Sequence, residues 1–266
     1  MKISRVGVDL AKNVFQLHGV DRHGETVLKR RMSRDKWISV LVKSAEPGCE
    51  VGMEACGGAH YWARQLMAKG FKVKIIPPQF VTPYVKSNKN DAKDAEAICE
   101  AMSRPTMRFV EAKTVEQQDI QATHRIRSEL MCHRTAKANQ IRGLVTEYGL
   151  VAPLHMASLR AAIPRWLEDA ENGLTDRFRA LLHGLWDDLL TLDQRIEALN
   201  REVDCIAKND PVAQRLQQLR GVGPLVATAL IARVGSGDQF STGRQMAASV
   251  GLTPRQHSSG GNQQTW

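Results

Sequence analysis

No stretch of the 266-residue chain approaches eighteen uninterrupted apolar residues, so a membrane-spanning helix is excluded. The five cysteines (Cys49, Cys56, Cys99, Cys132 and Cys205) form no Cys-x-x-Cys pair and are odd in number. That excludes a disulfide framework and a cysteine zinc site, and a reducing cytosol is the expected compartment. Ten prolines and twenty glycines are too few and too scattered for a collagen-like or low-complexity chain. The start, Met1-Lys2-Ile3-Ser4-Arg5, leads straight into a strand-like run containing Asp9, which is not a secretory signal pattern. What is present is ordinary globular usage, 42% hydrophobic and 24% charged. The length suits two domains and a connector. A cytoplasmic protein with no membrane partner is expected.

Positive charge is in excess: 37 Lys+Arg against 28 Asp+Glu, a formal net charge of +9. It is unevenly placed. Residues 1–110 carry 19 basic and 11 acidic side chains, and residues 111–150 carry 6 and 5. Residues 151–210 carry 7 and 11, and residues 211–266 carry 5 and 1. Two basic ends thus flank an acidic middle. Such a balance favours a polyanionic partner, because neutralising phosphates releases condensed counterions. Plain solubility is the bland alternative.

The first hundred residues read as a mixed α/β unit. Val6, Val8 and Leu10 alternate along a first strand with Asp9 near its end. Val14 to Val20 makes a second strand, and the Asp21-Arg22-His23-Gly24 turn leads to a third over Glu25 to Arg31. Ser33 is placed to cap a helix reaching about Ser44. Glu50 to Met53 forms a fourth strand ending at Glu54, and Ala59 to Lys69 a helix closed by Gly70. A fifth strand, Lys72 to Ile76, stops at Pro77-Pro78, and a last helix runs from about Asn90 to Ser103. The order β-β-β-α-β-α-β-α is ribonuclease-H-like, so the fold class expected is α/β plus α.

Helices follow. Thr123 to Tyr148 carries Ile126, Leu130, Ile141, Leu144 and Val145 on one stripe, with Arg134 and Lys137 in its middle. These two cations read either as stems lying along a partly exposed face or as a grip on a phosphate backbone. From Leu182 to Ile206, eight apolar residues alternate steps of three and four, the spacing of a coiled coil. Pairing between two chains is expected, because no second heptad segment is visible to serve as an internal partner; an intramolecular helical hairpin would show the same pattern. Gly221-Val222-Gly223-Pro224 lies between helical runs. It reads either as a helix-hairpin-helix turn whose backbone N–H groups approach phosphate, or as a tight turn with no ligand. The domains expected are residues 1–112, a helical connector over 113–210 and a helical unit over 211–266.

Four acids draw attention in the first domain. Asp9 interrupts an apolar strand, where a carboxylate is costly unless it meets a cation or solvent. Glu54 ends the fourth strand, which neighbours the first in this topology. Asp91 and Asp94 lie three apart on one helical face. Four converging acids would repel unless divalent metal neutralised them, and oxygen-only ligands suit Mg²⁺ or Mn²⁺. Singly, Asp91 reads as a capping residue and Glu54 as a surface charge.

At these residues the chain resembles a known family. Gly7-Val8-Asp9-Leu10-Ala11-Lys12, Met53-Glu54-Ala55 and Lys89-Asn90-Asp91-Ala92-Lys93-Asp94-Ala95 are similar to the DEDD motif of RuvC-like insertion-sequence transposases, the bridge-RNA-guided serine recombinases. Gly221-Val222-Gly223-Pro224 and Gly251-Leu252-Thr253-Pro254-Arg255, followed by Ser258-Ser259-Gly260, resemble the signature of that family's second domain. The resemblance implies a RuvC-like catalytic domain, a coiled-coil connector and a helical transposase domain. It implies divalent metal on Asp9, Glu54, Asp91 and Asp94, and Ser259 as the nucleophile that attacks a DNA phosphate. Donor and target DNA, a structured guide RNA and a second copy of the chain are the partners implied. Without the resemblance, Ser258-Ser259-Gly260-Gly261 reads as a flexible tail.

The family pattern continues past this Ser-Gly, whereas here Trp266 follows Ser259 by seven residues, so a truncated end is expected. Two alternatives therefore stand beside the transposase reading: an inactive nucleic-acid-binding remnant, and a RuvC-like junction nuclease that uses water.

Overall fold

The computed structural model describes residues 2–84, 91–253, 256–259 and 262–265, and for residues 91–92, 256–259 and 262–265 the backbone alone. The chain divides into two compact units, Met1–Thr114 with Val234–Trp266, and Val115–Arg233. Among the described residues no helix is long and apolar enough to cross a membrane.

The first unit is built on a five-stranded mixed sheet: β1 (Ile3–Leu10), β2 (Val14–Val20), β3 (Thr26–Ser33), β4 (Ala45–Glu54) and β5 (Lys72–Ile76), in the order β3-β2-β1-β4-β5. β2 runs antiparallel to β1 and β3, while β4 is parallel to β1 and β5 to β4. The first and fourth strands are neighbours, as the element order requires. Val6, Val8, Val51 and Met53 line one face, fully buried with Leu41 of α1 (Trp37–Ser44) and Leu66 of α2 (Ala59–Met67). There Phe15, Trp37 and Trp62 meet edge-to-face, their centroids 5.2 to 5.4 Å apart.

Two boundaries differ from the sequence expectation. Ser33 pairs with Val14 in β3 instead of capping a helix, so α1 begins only at Trp37. β4 starts at Ala45, whose partner is Ile3, and a register shift between Ile3 and Arg5 absorbs the extra length. A bulge of this kind cannot be read from alternation alone.

The opposite sheet face carries α4 (Asp91–Ala101), which follows the short α3 (Pro78–Val81) and a 3₁₀ turn (Thr82–Tyr84). Two paired glycines, Gly7 of β1 and Gly52 of β4, form its seat. A β-carbon on Gly7 would run into the Ala95 carbonyl and come within 2.6 Å of the Cys99 nitrogen. One on Gly52 would run into the side chain of Met102. The backbone of α4 thus sits closer to β1 than any side chain permits.

The second unit is helical: α5 (Val115–Thr146), α6 (Met156–Glu168), α7 (Asp176–Asn209), α8 (Pro211–Leu216) and all of α9 (Pro224–Val234) but its last residue. Thr175 caps α7, its hydroxyl accepting from the Phe178 N–H, and Asp210 caps α8 through the Ala213 N–H. α5 and α7 pack antiparallel. Thr123 reaches Glu202, Arg127 reaches Asn200, Arg134 reaches Asp193 and Lys137 reaches Asp188.

This pairing bears on the heptads of α7. Leu182, Leu189, Ile196 and Val203 occupy every second apolar position, and all four are buried within the monomer. α5 is the internal partner that the sequence did not reveal, because its own apolar positions are irregular. Ile126 and Leu144, expected on its stripe, are exposed, whereas Leu130, Ile141 and Val145 are buried.

After α10 (Gly243–Ser249), β6 (Gln256–Ser259) and β7 (Asn262–Thr265) form an antiparallel pair with Ser259 opposite Asn262. The segment expected to be a loop contains two paired strands. Two glycines separate the strands in sequence, a residue pair that two-residue hairpin connections favour.

The seat predicts an asymmetry. Gly7→Ala sets a methyl against helix backbone and should cost about 2–3 kcal/mol, the scale of overpacking a core. Gly52→Ala meets only the flexible Met102 side chain and should cost about 1 kcal/mol. Urea unfolding of the two variants measures the order, and equal costs would mean that α4 moves freely over both positions.

Candidate active site

Parallel pairing decides where the first two acids lie. Val8 pairs with Met53, so Asp9 and Glu54 each follow a matched residue on adjacent strands that run the same way. Neighbouring strands are about 4.8 Å apart and successive side chains alternate faces. Asp9 and Glu54 therefore emerge at one sheet edge, on the face that also carries Gly7 and Gly52. Both are at strand ends: Asp9 pairs with Gln16 of β2 and Glu54 with Ile76 of β5.

α4 carries the other two acids. Ala95 and Cys99 lie over Gly7, and the Arg5 guanidinium acts on the Cys99 thiol from the N-terminal side of β1. The helix thus runs against β1, and the turn preceding Ala95 points toward Asp9. Asp94 is half-buried in that turn. Asp91 is the first residue of α4, and its side chain lies outside the described residues.

The electrostatics record the convergence. Burial pushes the Cys56 thiol up from its ordinary value, and the Glu54 and Asp9 carboxylates push it further. One thiol senses both acids. On β2, burial lowers the His18 imidazole and Glu96 of α4 partly opposes that. Among the described residues no three of His, Cys, Asp or Glu close into one metal-binding group. The donors that converge are carboxylates, the chemistry of a hard divalent cation.

The remaining expected residues fare differently. Ser259 closes β6, opposite Asn262, and Ser258 is opposite Gln263; both side chains lie outside the described residues. Gly221 adopts φ +88° in the turn before α9, and the Gly223 carbonyl accepts from the Ala227 N–H. Val222 between them packs against the cluster of Ile120, Ala213 and Ala227, so this turn also has a structural task.

Arg134 and Lys137 call for a correction. Both are turned to α7 and hold it: Arg134 Nη1 is 3.3 Å from Asp193 Oδ1, and Lys137 Nζ is 2.9 Å from Asp188 Oδ2. Arg160 of α6 grips Asp193 in a two-pronged contact at 2.6 and 2.5 Å. The acids of the negatively charged middle segment neutralise these cations, which are not a free basic face.

Sequence reasoning overlooked Gly7 and Gly52. A signal was there: each strand acid follows a glycine by two residues, Gly7-Val8-Asp9 and Gly52-Met53-Glu54.

An acid-edged mixed sheet of this order, crossed by a helix bearing two more aspartates, defines an α/β protein of the DEDD nuclease-like class. Residues 6–150 match a DEDD family described as transposase, and residues 213–266 match the transposase family IS116/IS110/IS902. A "Probable family 20 transposase" of Pseudomonas aeruginosa is 48% identical over 264 residues, 99% of this chain and 78% of that protein. The "Transposase for insertion sequence element IS1111A" of Coxiella burnetii is 47% identical over 258 residues, 97% of this chain and 70% of that protein. The "Transposase for insertion sequence element IS1328" of Yersinia enterocolitica is 40% identical over 261 residues, 97% of this chain and 76% of that protein. The chain belongs to the IS110/IS116 family of insertion-sequence transposases.

The ion pairs between α5 and α7 generate a prediction. Arg134→Ala should destabilise the helical unit by about 1 kcal/mol, because Asp193 keeps Arg160 and the site is only partly buried. Its effect on the salt dependence of DNA binding should be nil. A flattened salt slope with unchanged stability would return Arg134 to the phosphate-binding role.

Proposed function

We propose that this transposase cuts and exchanges DNA strands with a divalent-metal site on Asp9, Glu54, Asp91 and Asp94 and with Ser259 as nucleophile. The observation that carries the reading is the parallel register of β1 and β4, which delivers Asp9 and Glu54 to one edge. The carboxylate-only donor set fits Mg²⁺ or Mn²⁺. Bound there, such an ion stabilises charge developing on a phosphodiester.

The chain's own residues supply the rest. The four carboxylates hold the ion and would repel one another without it. The Ser259 oxygen forms a bond to phosphorus as the bond from phosphorus to the leaving sugar oxygen breaks. The serine proton passes to solvent, and the departing oxygen takes one up. The product is a phosphoserine linkage that conserves the phosphodiester energy for rejoining. Gly221 and Gly223 offer close backbone approach to phosphate. A structured guide RNA follows from the family resemblance alone. Self-association through α7 rests on Leu185, Leu192 and Leu199, which stay half-exposed beside the residues that α5 covers.

Two measurements test the reading. Calorimetric titration should show Mg²⁺ or Mn²⁺ binding that Asp9→Asn weakens at least tenfold, and unchanged binding would remove the metal site. With metal and element-end DNA, a protein–DNA adduct should survive denaturant, vanish in Ser259→Ala and largely persist in Ser258→Ala. Cleavage without adduct would favour water as nucleophile, the junction-nuclease reading.

A further inference from the structure

Within the helical unit, α5 and α9 enclose an open cleft of about 370 Å³. The two helices are tied at its side by hydrogen bonds. Gln117 Nε2 donates to the Ile231 carbonyl at 3.1 Å, and His124 Nε2 lies 2.9 Å from Thr228 Oγ1. The Thr228 hydroxyl proton is directed to the Pro224 carbonyl at 2.8 Å, so its oxygen accepts from His124 Nε2–H. Burial, and then the neighbouring Arg127, lower the His124 imidazole from its ordinary value. His124 is fixed in the wall by its contact with Thr228.

The rest of the lining is cationic and donor-rich. From α5 come Gln121, Arg125 and Ser128, which with His124 fall at steps of three and four and so share one helical face. From α9 come Ala229 and Ala232, which keep that side shallow, and Arg233. Among the described residues no acid lines the cleft. Arg125 is exposed and makes no ion pair among the described residues, in contrast with Arg134 further along the same helix. A guanidinium held at a cleft mouth without a carboxylate is suited to an anion, and a phosphate oxygen pair matches its fork.

We propose that this cleft is a phosphate-backbone site, in which Arg125 contacts a nucleic-acid strand and Gln121 and Ser128 donate hydrogen bonds to it. The cleft lining includes none of Asp9, Glu54, Asp91 and Asp94 and neither glycine of the turn at Gly221. The proposal rests on the reading that the chain acts on nucleic acid, and its ligand chemistry is the phosphodiester common to DNA and RNA.

The test uses the full chain, in chelator, so that the result is independent of metal at the carboxylates. Fluorescence anisotropy measures binding to a mixed-sequence DNA duplex and to a mixed-sequence hairpin RNA between about 50 and 200 mM salt. Arg125→Gln should weaken binding several-fold and flatten the slope of log K against log salt by about 0.9 on duplex, the release from one phosphate contact. Arg125→Lys should keep the slope, because counterion release follows charge and not the guanidinium shape. Unchanged melting temperatures separate this outcome from unfolding. A loss on the duplex alone assigns the strand to DNA, a loss on the RNA alone assigns it to RNA, and a loss on both supports the shared contact. Unchanged affinity and slope on both polymers, or a slope lost equally in Arg125→Lys, would overturn the proposal.

Discussion

The close approach of α4 to the sheet over Gly7 and Gly52 is the constraint on which the first unit depends. A helix resting on ordinary side chains packs well clear of a sheet, and its first turn would then stand away from the strand ends. Here the β-carbon is absent at the two paired positions beneath it. The helix backbone descends onto the strands that carry Asp9 and Glu54. The glycines cost strand stability through their freedom in the unfolded chain. That cost lets a helix carrying two aspartates lie on the two strands that carry Asp9 and Glu54, an arrangement that local propensity alone would not produce.

The helical unit solves a different electrostatic problem. The chain as a whole is strongly basic, yet residues 151–210 are acidic by four charges, 7 basic against 11 acidic. Much of that acidity lies on α7. Asp188 and Asp193 face Lys137 and Arg134 on α5, and Arg160 completes the grip on Asp193. Each pair is partly exposed and contributes modestly. Its greater effect is on register, since an antiparallel slip of one turn would set these cations against the wrong acids. Apolar burial of Leu182, Leu189, Ile196 and Val203 supplies the cohesion.

Much of the first unit was legible because period-two alternation and turn residues mark its strands, as with Lys72 to Ile76, whose bounds agree at both ends. Asp9 drew attention as a candidate because a charge inside an apolar strand contradicts its surroundings. The early start of β4 was not legible, since a bulge depends on the partner strand. The heptads of α7 were plain, but which surface covers them depends on α5, whose Arg134 and Lys137 are at once polar in sequence and inward in space. For Ser259 the residues themselves say only that two glycines follow, so its role came from family resemblance and not from spacing.

The geometry of α5 explains how one helix can carry cations of two kinds. At 3.6 residues per turn, positions seven apart return to nearly the same face, and positions nine apart lie on opposite faces. Arg127 and Arg134 are seven apart, and both reach α7, to Asn200 and Asp193. Arg125 is nine residues before Arg134 and so must face away from α7. It lines the cleft beside α9, where no acid meets it. A count of basic residues along the helix treats these arginines as equivalent. Helical phase separates them into cations neutralised within the fold and a cation left for a partner, and only the second kind adds to the attraction of a polyanion.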